Sequence, residues 1–224
     1  MRLLSGLYST SKKKFIRCGK FCLSLVCLLS VWYQCLFFRN ISEVQHLYSK
    51  MSGECTLEEI DTIQREMKVF PVRKDKDGDE SYAFEDGYGG VRTYGGRRKH
   101  QGIDIMTSND KPGYFKIQSS TDGVIEQKGW LRLGGYRLGI RSDSGLYYYY
   151  AHMDSYAAWI KKGSRVHAGD LLGTMGNTGY GKKGTKGKFA VHLHFGIYRQ
   201  KDGRETCLNP FYILEHLKKE EEEV

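Results

Sequence analysis

The sequence predicts a mainly β domain that follows an N-terminal transmembrane helix and a short helical stalk. Short runs rich in β-branched and aromatic residues, such as Leu138–Arg141, Leu146–Tyr150 and Phe189–Ile197, are separated by Gly, Asp and Asn, which is typical of strands and turns. Gly supplies 27 of the 224 residues, above the usual share of about 7%, and there are 16 Tyr. One uncharged apolar run lies near the N-terminus.

That apolar run, Phe21–Phe38, predicts a membrane anchor. Its 18 residues lie between Lys20 and Arg39, and as a helix they would span about 27 Å, enough for a bilayer core. Basic residues precede the run and acidic ones do not, so residues 1–20 are expected in the cytoplasm and the rest of the chain outside. A cleaved signal peptide is the alternative. It is less favoured because an Ala-x-Ala-like site is missing and aromatic residues crowd the end of the run.

The segment after the anchor contains one predicted helix. Thr56 and Glu59 form a capping-box pattern, and apolar residues recur at helical spacing, which predicts an amphipathic helix over 56–68. The predicted organisation is a basic cytoplasmic segment (1–20), a transmembrane anchor (21–38), a membrane-proximal stalk with this helix (39–68), the β domain (69–213) and a charged C-terminal tail (214–224). Cys55 and Cys207 could form a disulfide outside the membrane, but the sequence does not show whether they are within reach.

The first candidate for chemistry is the pair His192 and His194 in an alternating apolar and polar strand pattern. Side chains two residues apart on a strand share a face, so both imidazoles are expected to point the same way, with Leu193 towards the core. Two such histidines can both bind a metal, or one can bind while the other acts as acid or base. The spacing alone does not tell which one binds.

Two further pieces add to this pair. His100 and Asp104 could bind one ion only from a helical turn or a bent loop, because four residues of straight strand span about 13 Å. Gly102 between them favours a loop that enters a strand at Ile103. His152 follows the aromatic run 147–150, so we expect it where a strand gives way to a loop, a usual location for reactive groups.

Taken in chain order, these pieces resemble the lysostaphin-type (LytM) zinc endopeptidases, which cut peptidoglycan peptides outside bacterial cells. The resemblance covers about residues 69–212. The matching segments are Phe70-Pro71-Val72, His100-x-x-x-Asp104, Tyr150-Ala151-His152, Gly176-Asn177-Thr178-Gly179, His192-x-His194 and Asn209-Pro210. Each is weak alone, whereas the ordered set is specific.

The resemblance implies a role for each matching residue. His100, Asp104 and His194 would bind one Zn²⁺, and His152 and His192 would be unligated catalytic histidines. Tyr94, six residues before His100, would stabilise the developing oxyanion. The implied fold is a compact antiparallel β-sheet peptidase domain with its site in a groove. The basic insertion Lys182–Lys188 departs from the family pattern and is expected to form a groove wall.

The predicted function is therefore hydrolysis of peptidoglycan peptides by a zinc metalloendopeptidase anchored in the bacterial cytoplasmic membrane. A catalytically silent LytM-like module that recruits or activates another wall hydrolase is the alternative. The formal charge of +9 is divided unevenly, as +7 in residues 1–39, −6 in 40–86, +12 in 87–204 and −4 in 205–224. The basic region lacks a recognisable nucleic-acid-binding motif, so nucleic acid is excluded as a partner and an anionic cell wall is favoured.

Overall fold

The computed structural model describes residues 27–35, 41–42, 45–47, 49–51, 55–73 and 81–223. The chain divides into two units, residues 1–46 and 47–224. In the first unit residues 27–35 are helical, whereas the remainder of the predicted anchor 21–38 and the basic segment 1–20 lie outside the described residues. Among the residues that are described, no helix is both long and apolar enough to span a bilayer.

The second unit is built mainly of strands. We label its elements α1 (Leu57–Glu66), β1 (Tyr82–Phe84), β2 (Val91–Arg92), β3 (Arg98–Lys99), β4 (Ile103–Thr107), β5 (Lys116–Gln118), β6 (Gly123–Leu131), β7 (Gly135–Arg141), β8 (Tyr147–Tyr156), β9 (Arg165–Val166), β10 (Leu171–Met175), β11 (His192–Lys201), β12 (Arg204–Leu208) and α2 (Phe211–Glu223).

Ten of these strands form one antiparallel sheet, which confirms the predicted mainly β fold. The main order is β1-β4-β11-β8-β7-β6-β9, while β12 pairs with β11, and β10 pairs with both β5 and β8. Strands β2 and β3 form a separate hairpin. Because β11 lies between β4 and β8, it joins the two halves of the sheet.

One face of the sheet covers the core. Alternate residues of the central strands, including Ile105, Leu138, Tyr150 and Phe195, are fully buried. The period-2 alternation of a strand places these side chains inside, and burying each aliphatic or Phe side chain contributes roughly 1.5–3 kcal/mol. The buried Tyr150 hydroxyl accepts a hydrogen bond from the Ser120 N–H (2.9 Å), so its polar atom is satisfied.

Helix α1 confirms the predicted capping box. The Thr56 hydroxyl accepts from the Glu59 N–H (3.2 Å), and the Thr56 N–H donates to the Glu59 carboxylate (2.8 Å). Ile60 and Ile63 are buried in the core of the unit, and the Tyr148 hydroxyl donates to Glu66 (2.9 Å). This helix, predicted within a stalk ending at residue 68, is thus part of the packed domain.

Helix α2 includes most of the predicted C-terminal tail (214–224). The sequence pattern sets a boundary after residue 213, but the helix runs without interruption from Phe211 to Glu223. Leu214 and Leu217 are buried in the core, so the first turns of the expected tail belong to the domain. Cys55 and Cys207 are both buried thiols in this structure.

Candidate metal centre and catalytic groove

The antiparallel pairing of β4 with β11 brings the predicted metal ligands together. Asp104 lies directly opposite His194 in the register of the two strands, although 90 residues separate them in sequence. Leu193 and Phe195 are fully buried, so His192 and His194 share the opposite face of β11. The predicted alternation in this strand is confirmed.

His100 reaches the same point from the bend between β3 and β4. Its Nδ1 hydrogen donates to the Gly87 carbonyl (2.9 Å), which leaves Nε2 facing the Asp104 carboxylate (3.0 Å). The bend requires Gly102, whose φ is +153° and where an added Cβ would lie only 2.4 Å from the Phe195 carbonyl oxygen. The prediction of a bent loop that enters a strand at Ile103 is confirmed.

Three potential ligand atoms form a nearly equilateral triangle. His100 Nε2 lies 3.0 Å from Asp104 Oδ1 and 3.0 Å from His194 Nδ1, and the last two atoms are 2.9 Å apart. Bonds of about 2.0–2.2 Å at tetrahedral angles would set neighbouring zinc ligands about 3.3 Å apart, so small shifts suffice. Two imidazole nitrogens and one carboxylate oxygen are a donor set that suits Zn²⁺, and the residues present therefore fit this ion.

The surroundings of Asp104 keep its carboxylate ionised, as a metal ligand must be. Burial alone raises the pKa of this carboxyl, but its polar contacts with the His100 and His194 imidazoles outweigh burial and hold the pKa well below its usual range. Arg92 Nη2 donates to the second carboxylate oxygen, Oδ2, over 2.7 Å. That contact turns Oδ1 towards the two imidazoles.

Arg92 was not found from the sequence, because its contact with Asp104 depends on the β2–β3 hairpin. We expect Arg92→Gln to weaken zinc affinity about 10–100-fold, the usual cost of losing an outer partner of a metal ligand. Competition against a chromogenic chelator measures this affinity. Arg165→Gln is the matched control, since it removes an equal charge from an exposed ion pair with Asp143. Equal zinc affinities in the two variants would contradict the orienting role.

His152 lies at a bulge within a strand, so the prediction that it marks the end of a strand was wrong. Strand β8 continues to Tyr156. The register shifts between the pairs Tyr136↔Met153 and Leu138↔Tyr150, so that Ala151 and His152 both face one residue of β7. His152 has a φ of +62°, and its N–H donates to the Gly134 carbonyl (2.8 Å). Such a bulge redirects a side chain, here into the groove beside the triangle.

The two predicted catalytic histidines have the same hydrogen-bond arrangement. His152 Nδ1 lies 2.8 Å from the Thr178 carbonyl oxygen, and His192 Nδ1 lies 2.8 Å from that of Ala190. Because a carbonyl can only accept, each Nδ1 carries the hydrogen and each Nε2 keeps its lone pair. The ring centroids are 4.7 Å apart, and burial lowers the pKa of both imidazoles, so both are neutral bases at neutral pH.

Tyr94 does not join this cluster. Its ring stacks on Tyr180, with centroids 4.3 Å apart and planes 7° apart, and its hydroxyl donates to the Tyr180 carbonyl. Tyr180 in turn lines the groove, with its ring centroid 5.9 Å from that of His152. The structure therefore brings together five of the six predicted site residues. The sixth, Tyr94, stacks on Tyr180 and is not among the residues that line the groove.

The ligand triangle and the two other histidines, His152 and His192, line a groove of about 690 Å³. Its lining includes Tyr180, Phe189 and Ala190, which flank the basic insertion 182–188 in sequence. The lysines of that insertion are exposed. The lining also includes side chains that the sequence did not single out, namely Arg137, Tyr147, Tyr149, Tyr198 and Glu205.

Comparison with known proteins identifies relatives among peptidases. Residues 98–207 match the model of Peptidase family M23. The chain is 40% identical over 141 residues to an L-Ala–D-Glu endopeptidase of Bacillus subtilis (strain 168), covering 63% of this chain and 40% of that protein. It is 29% identical over 117 residues to the glycyl-glycine endopeptidase ALE-1 of Staphylococcus capitis, covering 51% and 29%. The chain thus spans less than half the length of these relatives.

A solved structure extends the match beyond the sheet. The crystal structure of a LytM protein from Ruminococcus gnavus is 42% identical to this chain and superposes with a TM-score of 0.67. The alignment covers 78% of this chain and 71% of the other. On these matches in sequence and fold, the chain belongs to peptidase family M23.

Proposed function

We propose that this protein is a membrane-anchored zinc metalloendopeptidase that hydrolyses peptide cross-links or stem peptides of bacterial peptidoglycan. One observation carries the proposal: a triangle of zinc-type ligand atoms lies beside two neutral histidines at the floor of an open groove. Three protein ligands leave a further coordination position for water or substrate, as catalytic zinc sites need.

The residues of the chain divide the chemical work. His100, Asp104 and His194 would hold the ion, which when bound supplies Lewis acidity and lowers the pKa of water towards about 7. His152 and His192 present unprotonated Nε2 atoms to the groove, so either can take a proton from the attacking water and return it to the leaving amine.

The proposed location rests on the sequence at the N-terminus. The uncharged run Phe21–Phe38 would cross the cytoplasmic membrane once, with the basic residues before it inside and the catalytic unit outside. There the net charge of +12 in residues 87–204 would favour contact with an anionic cell wall.

Metal removal and restoration test the proposal. The full-length protein in detergent is expected to contain one zinc per chain and to release soluble muropeptides from purified peptidoglycan. Treatment with a chelator should stop muropeptide release, and added zinc should restore it, because the proposed chemistry depends on the ion that the ligand triangle would hold. Mass spectrometry of the products identifies the bond. If zinc-loaded protein binds the wall without cleaving it, the result would instead favour the silent recruiting module. If the protein does not bind zinc, the proposal of a zinc endopeptidase is refuted.

A further inference from the structure

Arg137 lies on the floor of the groove, next to the bulge that carries His152. The register of β7 with β8 places Arg137 opposite Ala151 and His152. The next residue, Leu138, is fully buried in the core, so the alternation of β7 turns Arg137 towards the groove, which it lines. Adjacent strands are about 4.8 Å apart, and an extended peptide advances about 3.3 Å per residue. A peptide bound in extended form along the groove would therefore bring Arg137 within one or two residues of the reacting bond.

The guanidinium of Arg137 is incompletely paired. Its Nη2 approaches Gln127 Oε1 only to 3.5 Å, and its buried Nη1 has no hydrogen-bond partner within the described part of the chain. Buried polar groups are nearly always paired, so an unpaired one in a groove indicates a donor that awaits an acceptor.

The carboxylates of the groove are engaged elsewhere. Glu205 lines the groove but forms an ion pair with Arg141 (2.9 Å). Asp104 is held by Arg92 and by the histidines of the ligand triangle. The positive charge of Arg137 is consequently left to attract an anion from outside the chain.

Tyrosine rings form a fixed floor around this charge. An added Cβ at Gly139 would lie 1.7 Å from the Tyr147 hydroxyl oxygen, and one at Gly134 would lie 2.3 Å from that of Tyr149. Both tyrosines therefore pack directly against the backbone of a glycine, where a larger residue would clash. Burial raises the pKa of both phenols, and the nearby Arg137 charge lowers it in part. The Tyr149 ring is also 5.9 Å from the His194 ring, measured between centroids. Ring hydroxyls, guanidinium and ligand triangle thus occupy one continuous surface.

We propose that Arg137, together with the hydroxyls of Tyr147 and Tyr149, forms a subsite that binds a free carboxylate of the substrate peptide within two residues of the scissile bond. This inference rests on the proposed function and specifies its substrate class. An acidic peptide would be preferred over an uncharged glycyl peptide, because a guanidinium and phenol hydroxyls are donors that match a carboxylate.

Matched peptides test the subsite. One is L-alanyl-γ-D-glutamyl-L-lysinamide with its free glutamyl α-carboxylate, and the other carries an α-carboxamide at that position. For zinc-loaded wild-type protein we expect kcat/KM to be at least tenfold higher for the acid than for the amide. Arg137→Gln should reduce this ratio to near one, Arg137→Lys should retain part of it, and Arg165→Gln should leave it unchanged. A wild-type ratio near one, or an undiminished ratio in Arg137→Gln, would overturn the inference.

Binding without catalysis separates this inference from the proposed function. Calorimetry with chelator-treated protein measures affinity for both intact peptides, and the same preference for the acid is expected. If zinc-loaded protein releases no muropeptides from peptidoglycan while the chelated protein still prefers the acid, the proposed function fails and the subsite stands. If both peptides are cleaved equally and bound equally, the function stands and the subsite fails.

Discussion

His194→Ala is expected to lose zinc and peptidase activity together. The His194 Nδ1 atom lies within 3.0 Å of both other ligand atoms, so its removal leaves only His100 and Asp104 on the ion. Two ligands do not complete a protein zinc site. The loss of affinity should exceed the roughly 10–100-fold caused by removing an outer partner, and activity should fall by a similar or larger factor.

Metal analysis after dialysis and release of soluble muropeptides measure the two losses on one sample. His167→Ala is the matched control, because His167 is largely exposed in a turn and its ring lies 3.7 Å from Asp170. Circular dichroism would verify that the sheet persists. Stoichiometric zinc in an inactive His194→Ala protein would assign His194 a role other than metal binding.

His152 is expected to show the opposite pattern, with zinc retained and turnover lost. The side chain lies outside the ligand triangle, and its Nε2 is free to move a proton, which typically contributes 10²–10⁴-fold to rate. The positive φ of His152 dictates the choice of variant, because Asn tolerates this conformation better than Ala. His152→Asn should therefore bind one zinc, unfold near the wild-type temperature and lose about 10²–10⁴-fold in kcat.

The His152→Asn measurement separates proton transfer from metal binding. Comparison with His152→Ala shows how much of any effect comes from strain at the bulge, which would appear in both the unfolding temperature and kcat. If His152→Asn loses zinc as His194→Ala does, the division into ligands and acid–base groups is incorrect. If it retains wild-type kcat, His192 is the sole histidine that handles the proton.

The strand-borne parts of the site could be predicted because they depend on local periodicity. Alternation alone placed His192 and His194 on one face, and the capping pattern at Thr56 located a helix. The spacing of His100 and Asp104 required a bend, which Gly102 provides. The expectation that His194 rather than His192 binds the ion came from the resemblance to LytM enzymes, since alternation treats the two positions alike.

Long-range register was beyond sequence reasoning. A bulge at His152 is set by how β8 pairs with β7, and the aromatic run before it gives no indication of that shift. Nothing in the sequence around Arg92 and Arg137 indicates a functional role, because only the hairpin and the sheet bring these residues to the groove. Tyr94 had the spacing expected of the family, but stacking on Tyr180 determines where its hydroxyl points.

The central position of β11 has a consequence for how the protein matures. Strand β11 fills the gap between β4 and β8, and its residues are synthesised about 90 positions after those of β4. Such non-local pairing carries a large loop-closure cost and is slow to form. Until it forms, Asp104 has no His194 opposite it, and the two sheet halves are not joined. A growing or partly folded chain therefore lacks the complete triangle of ligand atoms, which forms only once β11 has paired with β4.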